Sequence, residues 1–472
     1  MTCSFLLSLA MALTQAPPST ASGRHLVALV EAINTRDSSA ILRFGREHYS
    51  PSALAQTGGE ARLLERWLEV GTNYGALEID SVIATSDLET TAWARGTISK
   101  AWLSVRLFAD SAEPHRVVRI GLGRGLRPPY ADARVPVLAG ASLVRHIEDY
   151  LKRLAGADLF SGVVLVVHHG KPVITATHGF ADQGRRTAFK LDTPFDIASI
   201  GKLFTAVAIG QLAERGALRL TDTIGKYVPE LPAALGRRIT IAQLLEHSSG
   251  LGELGPGLDS AMRRTVRVAD MVALLRDTTL AFPPGTNVLY SNRGYVILGA
   301  VVERAGRRAY ADYLREEIFV PAGLTRTGLL QATELPGDRA RRYTRYSTLR
   351  SAWTPGPRVE FAPELDLAPG PHGGAIATAE DLVRFAAALT GGRLLSGAML
   401  KQMTEPQVGT GRSLGFQIGG DGAARYFGHG GGAPGMNSLL RVFPGMGYTV
   451  VVLSNYDSGA NLAGAYITEV LR

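Results

Sequence analysis

Strand-like segments stand at both ends of the last two thirds of this chain with a helical stretch between them, and that ordering constrains the fold more than any other feature. Residues 162–167 and 172–177 read as a hairpin turning at His169-Gly170-Lys171, and residues 414–419, 425–428, 437–443 and 448–453 read as strands near the other end. A helix from residue 461 closes the chain, and the middle opens on a long helical region that begins at Ser199. One sheet assembled from two distant pieces of chain, with helices folded between and around it, satisfies this pattern. Residues 143–154 before it read as an amphipathic helix.

A separate α+β pattern comes first. Apolar positions recur at helical spacing over residues 26–49 and 60–70, and residues 77–84, 91–98, 102–109 and 116–122 have strand character. The run Arg124-Gly125-Leu126-Arg127-Pro128-Pro129 then reads as a connector. A chain of 472 residues exceeds what one hydrophobic core commonly supports. The expected organisation is therefore a leader over residues 1–22, a small α+β domain over 23–125, a linker over 126–138 and a larger domain over 139–472.

Composition removes several function classes. Cys3 is the sole cysteine, so neither an intramolecular disulfide nor a thiolate metal cluster can form. The net charge of +8 comes from scattered arginines without a dense basic run or a recognisable nucleic-acid motif, so no nucleic-acid partner is expected. Residues 5–13 (FLLSLAMAL) followed by Thr14-Gln15-Ala16 resemble a secretory signal that lacks a basic start. A periplasmic or secreted location follows from that reading; the alternative is a disordered or partly helical cytoplasmic N-terminus. No other segment approaches the roughly 18 apolar residues of a membrane span.

The chemistry sits in three places. Phe195-Asp196-Ile197-Ala198-Ser199-Ile200-Gly201-Lys202 puts a Ser-x-x-Lys at the start of a helix expected to reach Glu214, and that spacing sets Ser199 and Lys202 on one face. A serine hydroxyl is a weak nucleophile until a neighbour takes its proton. A lysine does this once burial makes its neutral form accessible. Tyr290-Ser291-Asn292, in a loop before a helix expected over residues 296–304, supplies a phenol that can shuttle a proton and an amide that can orient Lys202. Capping by Asn292 with a merely packed tyrosine is the bland reading of that loop. Third comes His429-Gly430-Gly431-Gly432, expected between two strands, where missing side chains let an acyl group approach the backbone. A hairpin turn is the bland reading there.

With these motifs in order, residues from about 140 to 472 resemble the serine β-lactamase-related family, on the branch of class C β-lactamases, family VIII carboxylesterases and D-aminopeptidases. The stretches 239–251, 373–378 and 435–455 are similar to that family as well. The resemblance implies an antiparallel sheet flanked by helices plus a helical subdomain. It implies an acyl-enzyme on Ser199, acid and base work shared by Lys202 and Tyr290, and positioning by Asn292; the motifs themselves lead to the expectation of an oxyanion hole begun by the Ser199 N–H and completed by a backbone N–H near Gly432. His429 stands where such β-lactamases carry a lysine, and a neutral imidazole shifts the expected substrates from carboxylate-bearing β-lactams toward small esters or amides. Residues 24–125 resemble an NTF2-like cone.

No cofactor and no metal are expected, since zinc-protease, phosphate-loop and Gly-x-Ser-x-Gly motifs are all missing. His168 and His169 flank a turn and are expected to face opposite ways. His247 and Gly250 mark a helix end, Ser249 lacks a basic residue at the required spacing, and His372, which precedes a glycine pair, is expected to line the cleft. Competing functions are a D-alanyl-D-alanine carboxypeptidase or penicillin-binding protein, and a catalytically idle ligand-binding homologue.

Overall fold

The computed structural model describes residues 19–124, 140–253, 258, 261–263, 265–330, 332–346, 356–362, 368–407 and 412–471. Most of the expected leader and the whole of the expected linker lie outside these residues. The chain divides into two compact units. The first comprises Met1–Leu159, Arg345–Val359 and Asn461–Arg472, and the second Phe160–Thr344 and Glu360–Ala460.

In the first unit, helices α1 (Ala21–Thr35), α2 (Ser38–His48), α3 (Pro51–Gln56) and α4 (Gly59–Tyr74) precede an antiparallel meander of β1 (Leu77–Ser86), β2 (Glu89–Gly96), β3 (Trp102–Ala109) and β4 (Val117–Arg124). The single helical stretch expected over 26–49 is two helices. Arg36 adopts the left-handed conformation at φ 54°, and the Asp37 carboxylate accepts from the Ser39 and Ala40 amides to start a new helix. Leu63, Trp67, Val70 and Tyr74 line the buried face of α4, and alternate residues of β2 are buried, so both periodicities express one apolar core. Helix α5 (Gly140–Gly156) also belongs to this unit, as does the part of the C-terminal helix from Asn461 on, where Glu469 accepts from the Trp102 indole at 3.1 Å.

The second unit is built on a six-stranded antiparallel sheet. Strands β5 (Gly162–His168) and β6 (Lys171–His178) come from its beginning, and β7 (Gln417–Gly419), β8 (Tyr426–Ala433), β9 (Met436–Phe443) and β10 (Tyr448–Ser454) from its end. Their order is β7-β8-β9-β10-β5-β6, and the two pieces meet along β10 and β5, from Tyr448 opposite His168 to Ser454 opposite Gly162. Val163 to Val167 are all buried, as a strand covered on both faces requires, whereas β6 is mostly exposed and carries Pro172 on an edge. Helices between the pieces include α6 (Lys202–Glu214), α7 (Ile241–Leu245), α8 (Asn292–Gly306) and α9 (Ala379–Thr390). Every residue of α6 from Lys202 to Leu212 is buried. An amine in such a helix meets no water and must find its partners within the protein.

The His168 and His169 rings do not diverge. Their centroids lie 4.3 Å apart, because His169 sits in the turn at φ 47° rather than in the strand, while His168 stacks on Tyr448. Among the described residues no group of three or more His, Cys, Asp or Glu is placed to hold a metal ion, and no helix is long and apolar enough to cross a membrane.

Candidate active site

Ser199 lies one turn ahead of the helix expected to begin with it. Ala198–Gly201 form a 3-10 turn, and α6 starts at Lys202. The turn is held from two sides. The Ser438 hydroxyl of β9 donates to the Ile197 carbonyl at 2.8 Å, and the Ile197 amide donates to Ala375 at 2.9 Å. Gly374 donates to the Ala198 carbonyl at 3.2 Å. Ala198 is forced to φ 46°, a costly conformation for an alanine that only such surroundings sustain.

Glycines permit this closeness. A Cβ on Gly431 would stand 2.3 Å from the Ile197 carbonyl oxygen and 2.4 Å from Ser438 Oγ, and one on Gly373 would stand 2.8 Å from the Ala198 oxygen. The third motif is therefore no turn: β8 runs straight through His429, Gly430, Gly431 and Gly432 against the Ser199 segment. The Gly430 amide donates to Gln417 Oε1 at 3.0 Å, the Gly431 carbonyl accepts from Asn437 Nδ2 at 2.9 Å, and Gly432 is exposed.

Lys202 Nζ donates to Ser199 Oγ at 3.1 Å, to Asn292 Oδ1 at 2.6 Å and to the His372 carbonyl. Two of these partners only accept; the serine hydroxyl can reverse its role. An ammonium fills all three sites, and a neutral amine keeps two N–H bonds to the pure acceptors with its lone pair toward Ser199. Burial brings the Lys202 pKa down to about 7, and the Glu253 carboxylate opposes this in part.

Tyr290 donates its phenolic proton to Ser199 Oγ at 2.8 Å, and burial raises its pKa well above the ordinary value, so the phenol stays protonated. The loop bearing it caps α8 through Ser291, whose side chain accepts from the Gly294 amide. Asn292 is therefore not the cap. It bridges instead, with Oδ1 on Lys202 and Nδ2 donating to Glu253 Oε2 at 3.0 Å. His247, left-handed at φ 59°, accepts the Ser291 amide on Nδ1 at 3.1 Å, and its ring lies 4.4 Å from that of Tyr290. Burial and the Lys202 charge hold His247 near pKa 3, and the same two causes lower buried His429 to about 3. Both imidazoles are neutral at pH 7.

The structure thus gathers Ser199, Lys202, Tyr290 and Asn292 into one hydrogen-bonded set, with the His429 strand against the serine turn. Glu253 behind Asn292 escaped the sequence reading, which also placed His247 only at a helix end and His372 only at a cleft, without the Ser291 contact of the one or the backbone carbonyl of the other on Lys202. Family-like stretches around 239–251 and 373–378 pointed to two of these segments, but a backbone acceptor has no signature in residue type.

A sheet joined from the two ends of a domain, beside a buried helix opened by a Ser-x-x-Lys turn, is the architecture of the β-lactamase and transpeptidase class of serine hydrolases. The chain belongs to the Beta-lactamase family, whose family model matches residues 144–471. Penicillin-binding protein 4 of Amycolatopsis lactamdurans is 31% identical over 339 residues, covering 66% of this chain and 84% of the relative. A penicillin binding protein from Bacillus halodurans superposes with a TM-score of 0.59 at 28% identity, over 70% of this chain and 99% of its own. D-amino acid amidase from Ochrobactrum anthropi SV3 shares the fold, with a TM-score of 0.59 at 23% identity over 69% of this chain and 98% of its own.

Proposed function

We propose that this protein hydrolyses small esters or amides through an acyl-enzyme on Ser199, with Lys202 as general base and Tyr290 as proton donor. The carrying observation is the partner set of Lys202, two pure acceptors and the nucleophile, on an amine whose pKa lies near 7. Neutral Lys202 takes the Ser199 proton as Oγ attacks the carbonyl carbon. The backbone N–H groups of Ser199 and Gly432 hold the oxyanion. The bond to the leaving group breaks, that group takes the Tyr290 proton, and the Lys202 ammonium returns a proton to the phenolate. In the second half a water gives its proton to Lys202 and attacks the acyl carbon; Ser199 Oγ departs and recovers the proton. The net reaction adds one water across the ester or amide.

His429 supports the choice among substrates. A buried neutral imidazole offers no fixed cation to a carboxylate beside the scissile bond, a charge-assisted contact of about 1.5–3 kcal/mol where it exists. The relatives named as penicillin-binding proteins favour a cell-wall peptidase as the second reading. An idle ligand binder would not need three proton-transfer groups in contact. A location outside the cytoplasm accords with the apolar run at residues 5–13. A fluorophosphonate probe should label wild type and not Ser199→Ala, and kcat/KM for p-nitrophenyl butyrate should exceed that for benzylpenicillin, with His429→Lys moving the balance toward the penicillin. A labelled Ser199→Ala protein would overturn the mechanism, and a penicillin turned over faster than the ester would overturn the preference.

A further inference from the structure

Residues 281–291, which carry Tyr290, form neither helix nor strand, and Pro283, Gly285, Thr286, Asn287 and Leu289 are exposed. Such a segment has no ladder of its own to hold a phenol against a serine oxygen. It is anchored on the segment from His247 to Gly252. The Ser248 carbonyl accepts from the Gly285 amide and the Gly250 carbonyl from the Ala281 amide, both at 2.8 Å. His247 itself meets three successive residues. Its carbonyl accepts from the Leu289 amide at 2.9 Å, its ring lies 4.4 Å from the Tyr290 ring, and its Nδ1 accepts from the Ser291 amide at 3.1 Å. The buried Tyr295 ring of α8 lies 5.2 Å from the same imidazole.

These contacts divide by what a substitution removes. The carbonyl bond to Leu289 belongs to the backbone and persists with any side chain, whereas the two ring contacts need the imidazole. Beyond Tyr290 the chain is fixed separately, since Ser291 Oγ donates to the Gly252 carbonyl at 2.7 Å and accepts from the Gly294 amide at 3.1 Å. The bond to Nδ1 sets the plane of the peptide joining Tyr290 to Ser291, and the stacked ring sets the tilt of the phenol. Nδ1 accepts only in a neutral ring with its proton on Nε2, and burial with the Lys202 charge keeps the ring neutral.

Resting on the acyl-enzyme reading, we propose that His247 is a positioning residue that aims the Tyr290 phenol at Ser199 and the leaving group, and so decides whether leaving groups that need a proton can depart. The role runs through Tyr290. An alkoxide or an amine must take the phenolic proton as its bond to the acyl carbon breaks, whereas p-nitrophenolate leaves as the anion.

The test compares p-nitrophenyl butyrate with ethyl butyrate, which share one acyl group, and reads the ratio of their kcat/KM values. Tyr290→Phe should raise that ratio about 100-fold or more, and His247→Phe, which keeps a ring and loses the acceptor, about ten- to hundredfold. His247→Asn returns an acceptor near the Nδ1 position and tolerates the left-handed backbone at residue 247, so its ratio should stay close to that of wild type. With Tyr290→Phe already present, adding His247→Phe should change the ratio by no more than about twofold. A second measurement needs no disruptive variant: in 15N-histidine-labelled wild type at pH 7, the ring signals lost in His247→Asn should be those of a bare Nδ1 and a protonated Nε2. An equal fall for both esters in His247→Phe, an equal loss in His247→Asn, or a protonated Nδ1 on His247 overturns the proposal and leaves the acyl-enzyme mechanism in place. An unchanged ratio in Tyr290→Phe overturns the tyrosine as proton donor, and absence of fluorophosphonate labelling at Ser199 in wild type overturns the mechanism; either takes this inference with it.

Discussion

The pH dependence of acylation follows from one buried amine. An exposed lysine with pKa near 10.5 is neutral in roughly one molecule in three thousand at pH 7. Lys202, with no exposed surface and a pKa of about 7, is neutral in about half. The fraction of competent base is therefore roughly 1,500-fold larger, offset in part by the weaker basicity of the amine. For a substrate that does not itself titrate, such as p-nitrophenyl butyrate, kcat/KM reports the free enzyme. It should rise about tenfold per pH unit below 7, reach about one tenth of its plateau at pH 6 and about nine tenths at pH 8. The two buried imidazoles cannot supply this limb, because both sit near pKa 3. Glu253→Gln serves as the control: its carboxylate holds the proton on Lys202, so removing it should move the half-point to lower pH. A profile that is flat from pH 5.5 to 9, or one whose half-point lies near 10, would refute Lys202 as the base.

Two further outcomes follow from packing and proton linkage. Gly431→Ala drives a methyl to 2.3 Å from the Ile197 carbonyl oxygen, which is backbone and cannot swing aside; acylation should fall about 100-fold or more and stability by about 1–3 kcal/mol, measured by probe labelling and urea melts, and unchanged values for both would remove the case that β8 clamps the serine turn. The lowered pKa of Lys202 means that the unfolded chain binds the extra proton between pH 7 and 10.5, so folding stability rises with pH across that window, and the wild type should gain about 2.5 kcal/mol between pH 6 and pH 9 that Lys202→Met does not, whereas parallel denaturation curves for the two proteins would show that the amine is not buried neutral.

The amino-acid order by itself determined what depends on local spacing. Ser199 and Lys202 share a face because three residues separate them, and the strands near residues 102–109, 162–168 and 448–454 are marked by runs of branched and aromatic residues between turn signals. The two-ended sheet was legible for the same reason, since strands at both ends of a domain must pair to bury their apolar faces. Where local signals compete, boundaries moved: Arg36 and Asp37 broke a periodic stretch in two, and four residues of the third motif joined a strand because its partner strand and the serine turn supply what glycines lack. Only the tertiary structure decided the chemistry of Lys202. Its acceptors come from Asn292 and the His372 backbone, 90 and 170 residues away, and its pKa is set by its own complete burial at the start of α6, with the Glu253 carboxylate beyond Asn292 opposing in part. Desolvation is a property of everything packed around a group, and no spacing along the chain encodes it.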